Sequence, residues 1–67
     1  MEKFLTRLKE LRHEKGLSQT QMSKEIMVNP TTIAKWETGD RTPSLEMLII
    51  LAKFFGCTLG YLAGIED

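Results

Sequence analysis

In the first stretch of the chain, apolar residues recur with the period of an α-helix and charged residues lie between them. Phe4, Leu8 and Leu11 recur at i, i+4 and i+7, and most positions between them are charged. This spacing places the three apolar side chains on one face of a helix. We predict an amphipathic helix over Glu2–Glu14, ended by Gly16 in a left-handed conformation.

A second, shorter helix has its own start signal. Ser18 and Gln21 have the spacing of a capping box, and Met22 with Ile26 forms an apolar stripe one turn apart. Ser23, between the stripe residues, has a small side chain that would let two helices approach closely. We predict a helix of about two turns here.

A third helix follows after only Met27 and Val28. Asn29 is placed to cap it through its side-chain oxygen, and Pro30 suits the first helical position. Together the second and third helices predict a helix-turn-helix over about residues 18–38. Ile33 and Trp36 would point inward and Gly39 would end the helix. The opposite side carries small, polar or positive residues: Thr31, Ala34, Lys35 and Thr38.

Two further helices complete the pattern. Thr42 and Pro43 predict the start of a fourth helix, and Gly56 its end. A last short helix is predicted over Leu59–Ala63. The expected inward side of the fourth helix consists of Leu45, Leu48, Leu51, Ala52 and Phe55.

The fourth helix also carries apolar residues where a solvated helix would carry charge. With two residues from the last segment, they could form an exposed patch that suits a homodimer. The alternative is that all of them complete the core. The predicted dimer residues are Met47, Ile50, Phe54, Tyr61 and Ile65.

Length and charge limit the possible functions. The chain has 67 residues, enough for one domain, so we predict a single all-α domain over residues 1–67. Nine basic and nine acidic residues give a formal net charge of zero. This is not the basic excess typical of many nucleic-acid-binding proteins, so any such contact must depend on where the cations lie.

Several features indicate a cytoplasmic protein. The single Cys57 cannot form an internal disulfide. Charged residues interrupt the N-terminus, so no signal peptide is predicted. The longest apolar run, residues 47–52, is far shorter than the roughly 20 residues that cross a bilayer.

An ordered set of short segments resembles a known family. From about residue 4 to residue 62, the chain is similar to the XRE or Cro-repressor type of DNA-binding domain, a compact five-helix lambda-repressor-like fold. The segments that carry the resemblance are Gly16-Leu17-Ser18-Gln19, Val28-Asn29-Pro30-Thr31-Thr32-Ile33, Lys35-Trp36-Glu37-x-Gly39, Pro43-Ser44-Leu45-Glu46 and Leu51-Ala52-Lys53-Phe54-Phe55-Gly56.

The resemblance implies DNA contacts at particular positions. The residues expected near base edges are Pro30, Thr31 and Lys35. Those expected to contact phosphates are Gln19, Asn29, Thr32, Thr38 and Arg41. A helix N-terminus also favours an anion at Gln19 on physical grounds. For Arg41 the alternative is an ordinary solvated loop charge.

The resemblance implies two further features that a structure can test. It implies an ion pair between Arg12 and Glu37 that supports the third helix from behind, the alternative being two solvated surface charges. It also places glycine where Met27 stands, because the backbone there tends toward positive φ. Either Met27 carries strain or the turn is built differently.

The combined interpretation is a sequence-specific transcriptional regulator. The resemblance implies a repressor of prokaryotic or phage origin that binds a near-palindromic operator as a homodimer. No cofactor is expected, and the lack of a metal-spaced cluster or phosphate-binding glycine loop argues against an enzyme. The alternative is a protein-binding antitoxin or regulator module with secondary DNA binding.

Overall fold

The chain is all-helical in the computed structural model, which describes residues 2–66. Five α-helices follow one another without a strand in this part of the chain. They are α1 (Glu2–Glu14), α2 (Gln19–Ile26), α3 (Pro30–Thr38), α4 (Leu45–Phe55) and α5 (Leu59–Ala63). The predicted fold class and the bounds of α1 and α5 are therefore confirmed.

Glycine ends the helices at the positions where the sequence predicts it. Gly16, Gly39 and Gly56 all adopt positive φ, which closes α1, α3 and α4 in the left-handed conformation. In this conformation the backbone N–H of Gly56 bonds to the carbonyls of Ala52 and Lys53. The carbonyls at the end of α4 thus find partners before the chain turns.

The start of α4 differs from the prediction. Ser44, rather than Thr42, is the N-cap, and its side-chain oxygen accepts a 3.1 Å hydrogen bond from the backbone N–H of Met47. Pro43 precedes the cap and is buried instead of occupying the first helical position. Thr42 and Ser44 both carry hydroxyl side chains, and Ser44 is the one that directly precedes the first helical residue, Leu45.

One apolar core joins the five helices. It is formed by contacts of α1 with α3 and α5, of α2 with α3 and α4, and of α4 with α5. A fully buried apolar side chain contributes about 2 kcal/mol relative to an exposed one. The core residues are Phe4, Leu8, Met22, Ile33, Trp36, Leu48, Leu51, Ala52 and Leu62.

Two expectations about side-chain burial need correction. Leu45, expected inside, leaves 63% of its surface exposed. Met47 and Phe54, expected at an exposed patch, are half-buried and pack against the core. None of the five helices described has the length and apolarity needed to span a bilayer.

The last segment is held on α1 by one arginine. The Arg7 guanidinium donates to the carbonyl oxygen of Tyr61 and, over 2.7 Å, to that of Glu66. It also lies 4.1 Å from the centre of the Tyr61 ring. Arg7 therefore holds the C-terminal end of α5 through both charge and ring contact.

Candidate nucleic-acid interface

The start of α2 has the predicted capping box. Ser18 Oγ accepts a 3.0 Å hydrogen bond from the backbone N–H of Gln21, and Gln21 Oε1 accepts one of 2.8 Å from the backbone N–H of Ser18. This reciprocal pair satisfies two backbone donors at the helix start. Ser23, one turn later, is buried as expected for a close helix contact.

The turn between α2 and α3 contains a strained residue. Met27 has φ 59° and ψ 47°, the left-handed conformation that usually requires glycine. It is the one described non-glycine residue between positions 2 and 66 with positive φ. The first of the two alternatives for this turn is therefore confirmed. Its side chain is 90% exposed, so little packing offsets the cost.

The start of α3 lacks the side-chain cap expected from Asn29. The backbone of Asn29 is in the extended N-cap conformation, but its side chain makes no capping hydrogen bond. The backbone carbonyl of Asn29 already accepts from the N–H of Thr32 over 3.0 Å. This occupies a donor that the side chain would otherwise take. The Asn29 amide is exposed and has no partner among residues 2–66.

The side of α3 that carries Thr31, Ala34, Lys35 and Thr38, here called the α3 outer face, is open along its length. Thr31, Lys35 and Thr38 are exposed, while Ala34 is half-buried between them. The hydroxyl of Thr38 donates to the backbone carbonyl of Lys35 over 3.2 Å, which leaves its oxygen lone pairs outward. The ammonium of Lys35 has no partner in the described part of the chain. This surface therefore presents a cation beside small polar side chains.

The other residues expected near DNA surround this face. Pro30 and Thr32 are half-buried at the start of α3. Arg41 is exposed in the following loop, where its backbone N–H bonds to the carbonyl of Lys35 over 3.2 Å. Its guanidinium has no partner within residues 2–66. The loop thus places a second cation close in sequence and structure to the end of α3.

The inner side of α3 is fixed by the predicted ion pair. Arg12 Nε lies 2.6 Å from Glu37 Oε2, and Arg12 donates from a second nitrogen to Glu37 Oε1 over 3.0 Å. The exposed fractions are only 8% for Arg12 and 7% for Glu37. The alternative of two solvated charges is excluded, because the pair is buried and doubly hydrogen-bonded.

Two further hydrogen bonds complete this network. Arg12 also donates to the carbonyl of Leu17 over 2.8 Å, which ties α1 to the start of α2. The side-chain amide of Gln19 donates to Glu37 Oε1 over 3.1 Å. This second role of Gln19 was not predicted from the sequence. One N–H of its amide is thus committed to Glu37, and the other remains for an external acceptor.

The electrostatics of the network favour the charged forms of both partners. Burial by itself would raise the pKa of Glu37. Hydrogen bonds from Arg12 and Gln19, with the positive charges of Arg12 and Lys9, outweigh burial and hold this pKa below its ordinary value. The hydrogen bond to Glu37 raises the pKa of Arg12, against the opposing effect of burial. The pair therefore stays ionised at neutral pH.

The predicted dimer residues do not share one environment. Ile50 is 46% exposed on α4, and Ile65 is exposed beyond α5. Met47 and Phe54 are half-buried, and the Lys15 ammonium lies 5.0 Å from the centre of the Phe54 ring. Tyr61 is half-buried under Arg7.

Two exposed apolar residues were missed by the sequence analysis. Besides Leu45, Ile49 has 40% of its surface exposed, and both lie near Ile50 on α4. Helical spacing contained a signal, because Leu45 and Ile49, four residues apart, share one face. The pattern was obscured by the apolar residues on every side of this helix.

Comparison with known proteins agrees with this architecture. The helix-turn-helix family matches residues 8–62. The HTH-type transcriptional activator BcrR of Enterococcus faecalis is 38% identical over 64 residues, which cover 96% of this chain and 31% of BcrR. The cryptic phage CTXphi transcriptional repressor RstR of Vibrio cholerae is 34% identical over 59 residues, covering 88% of this chain and 53% of RstR.

A third regulator is also similar over most of the chain. The HTH-type transcriptional regulator AnsR of Bacillus subtilis is 40% identical over 62 residues, covering 92% of this chain and 53% of AnsR. The chain spans about a third to a half of the length of these relatives. With a family match over residues 8–62 and the helix-turn-helix in place, the chain belongs to the XRE-type helix-turn-helix family of DNA-binding transcriptional regulators.

Proposed function

We propose that this domain binds a specific double-stranded DNA site by placing α3 in the major groove. The observation that carries the proposal is the contrast between the two sides of α3. Its inner side is fixed by Ile33, Trp36 and the buried Glu37, while Thr31 and Lys35 are exposed on the other side. The major groove is about 12 Å wide and admits one α-helix.

Each base-proximal residue has a distinct chemistry to offer. Lys35 donates to the O6 and N7 acceptors of guanine as a flexible point charge, so it favours guanine without the strictness of a planar guanidinium. Thr31 donates or accepts through its hydroxyl and offers its methyl group to thymine. Pro30, half-buried at the helix start, contributes an apolar contact beside Thr31.

Phosphate contacts would set the position of α3 along the duplex. Asn29, whose side chain does not cap the helix, and the second N–H of Gln19 are donors at the starts of α3 and α2. At the other end, Thr38 and Arg41 contribute a hydroxyl and a guanidinium. Thr32 completes the set at the start of α3.

We expect the domain to bind as a dimer because a single copy would bind DNA weakly. The proposed contacts include only two cations, Lys35 and Arg41, so a monomer would release few counterions and bind DNA weakly. Two copies bound about 34 Å apart, one helical turn of DNA, would recognise a near-palindromic operator with higher affinity. Ile50 and Ile65 are the exposed members of the proposed interface, with Met47, Phe54 and Tyr61 beside them.

The regulatory output we propose is repression in a bacterial or phage setting. Occupying an operator requires only the DNA contacts described above, whereas activation requires an additional contact with polymerase. RstR carries the description of a phage repressor, and BcrR that of an activator. A domain of this function works where the genome is, in the cytoplasm.

Selection from randomised duplexes over a salt series tests the proposal. The wild-type chain is compared with Lys35→Ala and with Lys24→Ala, which removes an exposed lysine from α2. We expect wild type and Lys24→Ala to enrich the same two-fold site. Lys35→Ala should lose preference at one symmetric position, a loss of about 1–3 kcal/mol, with unchanged helical content.

The opposite result is equally clear. If no sequence is enriched, and all three proteins lose binding at moderate salt, only non-specific phosphate contact exists. If Lys24→Ala and Lys35→Ala change the preferred site to the same extent, α3 does not determine specificity. Either outcome overturns the proposal.

A further inference from the structure

Helix α4 has an exposed face that is apolar in the middle and charged at both ends. Ile49 and Ile50 are 40% and 46% exposed at its centre. Glu46 lies three residues before Ile49, and Lys53 lies three residues after Ile50. The α4 outer face is defined here by Leu45, Glu46, Ile49, Ile50 and Lys53, all of which are exposed.

Helical geometry confirms that these residues share one side of α4. At about 100° per residue, the five positions span an arc of roughly 140°. The buried residues Leu48, Leu51 and Ala52 all lie outside this arc. The outer face is therefore continuous and is not interrupted by core positions.

The charges on this face have no partners within the described chain. Neither Glu46 nor Lys53 forms an ion pair or hydrogen bond with its side chain inside residues 2–66. They are too far apart to pair with each other, since seven residues of helix rise about 10 Å. Both charges are thus available to a partner that lies along α4.

The order of the residues is symmetric about the midpoint between Ile49 and Ile50. If a second copy of α4 runs antiparallel on a two-fold axis through that midpoint, each Glu46 meets Lys53 of the partner subunit. The four isoleucines then meet around the axis. The same patch is complementary to itself, as a two-fold dimer contact requires.

We propose that two copies of this chain associate through an antiparallel α4–α4 contact, with Ile49 and Ile50 at its centre and paired Glu46 and Lys53 at its ends. The inference rests on the proposed homodimer and specifies its geometry. It adds Leu45, Glu46, Ile49 and Lys53 to the residues considered above. Charge complementarity selects a second copy over an unrelated protein as the occupant.

The size of the surface predicts the strength of the contact. Helix α4 has 11 residues and is therefore about 16 Å long. One face of such a helix covers much less than the roughly 800 Å² per partner of a standard stable interface. The dimer should therefore be weak and concentration-dependent in free solution, and two adjacent half-sites on DNA should strengthen it.

Charge reversal on this face provides a test, because the single and double variants should rank differently in association and in fold stability. Glu46→Lys places two like charges at each end of the contact, and Lys53→Glu does the same with the opposite sign. We expect each variant to weaken association about tenfold in sedimentation equilibrium without DNA, at up to about 1 mM protein. The double variant Glu46→Lys/Lys53→Glu should associate as the wild type does.

A loss of helix stability cannot imitate this result. Glu46 lies in the first turn of α4 and Lys53 in the last, where each sign suits the helix dipole. The double variant reverses both, so it should have the lowest melting temperature of the set although it regains association. Lys24→Glu, a reversal on α2 away from this face, is the control and should leave association unchanged.

Mixing the two single variants provides an independent check. A chain with Glu46→Lys carries lysine at both ends of the face, and a chain with Lys53→Glu carries glutamate at both. The mixture should form a heterodimer at concentrations where each variant alone is monomeric. In a parallel two-fold contact each charge would meet its own copy already in the wild type, so neither single reversal would weaken association.

The outcomes separate this inference from the proposed DNA function. Glu46→Lys should still bind a single half-site, while Lys35→Ala should still dimerise. A wild-type chain that stays monomeric to about 1 mM overturns the α4 contact and leaves the face to a different protein. A dimer that resists both single reversals also overturns it and places the interface elsewhere.

Discussion

Helices α3 and α4 bury one side each in the same core, yet their outer sides have opposite chemistry. The α3 outer face is small and polar with a cation at Lys35, whereas the α4 outer face exposes Leu45, Ile49 and Ile50. The inner sides differ as well. Helix α3 includes the buried carboxylate of Glu37, while the buried residues of α4 are all apolar.

The difference shows that the partner of each helix is inferred from its outer residues. Apolar inner residues indicate only that a helix packs in a core. The polar, cationic outer face of α3 suits the DNA partner that we propose, whereas the exposed apolar residues of α4 suit an apolar surface. The buried ion pair gives α3 a fixed orientation relative to α1, and hydrogen bonds from buried charges leave little freedom in that placement.

The largest expected effect comes from removing the ion pair behind α3. Arg12→Ala leaves the Glu37 carboxylate buried without its main partner, which typically costs about 3–5 kcal/mol. A domain of this size has a total stability of only about 3–10 kcal/mol. We expect urea denaturation to show a protein that is marginally folded at room temperature.

A double variant distinguishes the cost of an unpaired buried charge from the cost of lost side-chain packing. Arg12→Met/Glu37→Leu replaces both charges by apolar side chains and should recover most of the lost stability. If Arg12→Ala unfolds in urea as the wild type does, the ion pair contributes nothing and α3 is held by its apolar residues alone.

The next largest effect is expected from truncating a buried residue of α4, compared with truncating its exposed neighbour. Leu51 is fully buried and Ile50 is nearly half exposed. Leu51→Ala should lower the free energy of unfolding by about 3 kcal/mol, because it removes packed methyl groups and leaves a cavity. Ile50→Ala should cost less than about 1 kcal/mol in the monomer. Equal losses in thermal or urea unfolding would show that the α4 outer face is buried within one chain.

A smaller effect of opposite sign is expected in the turn that joins α2 to α3. Met27→Gly removes a side chain from a left-handed backbone, a gain of about 1 kcal/mol, since the exposed methionine contributes little packing. The melting temperature should rise by about 4–8 °C. Met27→Ala keeps the backbone cost and is the matched control, so an equal rise in both variants would contradict the strain.

The smallest effect is expected from a change in pH, because Glu37 stays ionised over the neutral range and loses its charge only in acid. The folded-state pKa of Glu37 lies below its ordinary value, so the ion pair contributes fully at pH values above the unfolded pKa of about 4.3. This contribution is lost as the pH falls through the folded pKa. Glu37→Gln should remove that part of the acid dependence of unfolding, and an unchanged pH profile in the variant would exclude this linkage.

Local chemistry made the helix-turn-helix predictable from the sequence. The capping box of Ser18 and Gln21 and the glycine after α3 lie within one turn of the helix ends that they define. The ion pair of Arg12 and Glu37 was expected only through family resemblance, because no local pattern joins residues 25 positions apart. The same reason explains why the hydrogen bond from Gln19 to Glu37 was missed.

Helix α4 was harder to predict because apolar residues occur on all of its sides. Periodicity identifies which residues share a face, but it does not say which face packs inward when both are apolar. Leu45 was therefore assigned to the core, and Ile49 was assigned to neither side. The N-cap was placed at Thr42 for a related reason, since burial of Pro43 is a tertiary effect.

The two ends of the described chain lie side by side, and this has a consequence for protein engineering. A Cβ atom built on Gly64 would approach Lys3 Cβ to 2.6 Å, so α1 begins next to the end of α5. A short flexible linker between residues 66 and 2 would therefore bridge a small gap, with new termini opened in the exposed segment between Asp40 and Thr42. Such a circular permutant would retain every helix while uncoupling α3 from α4 in the order of the chain.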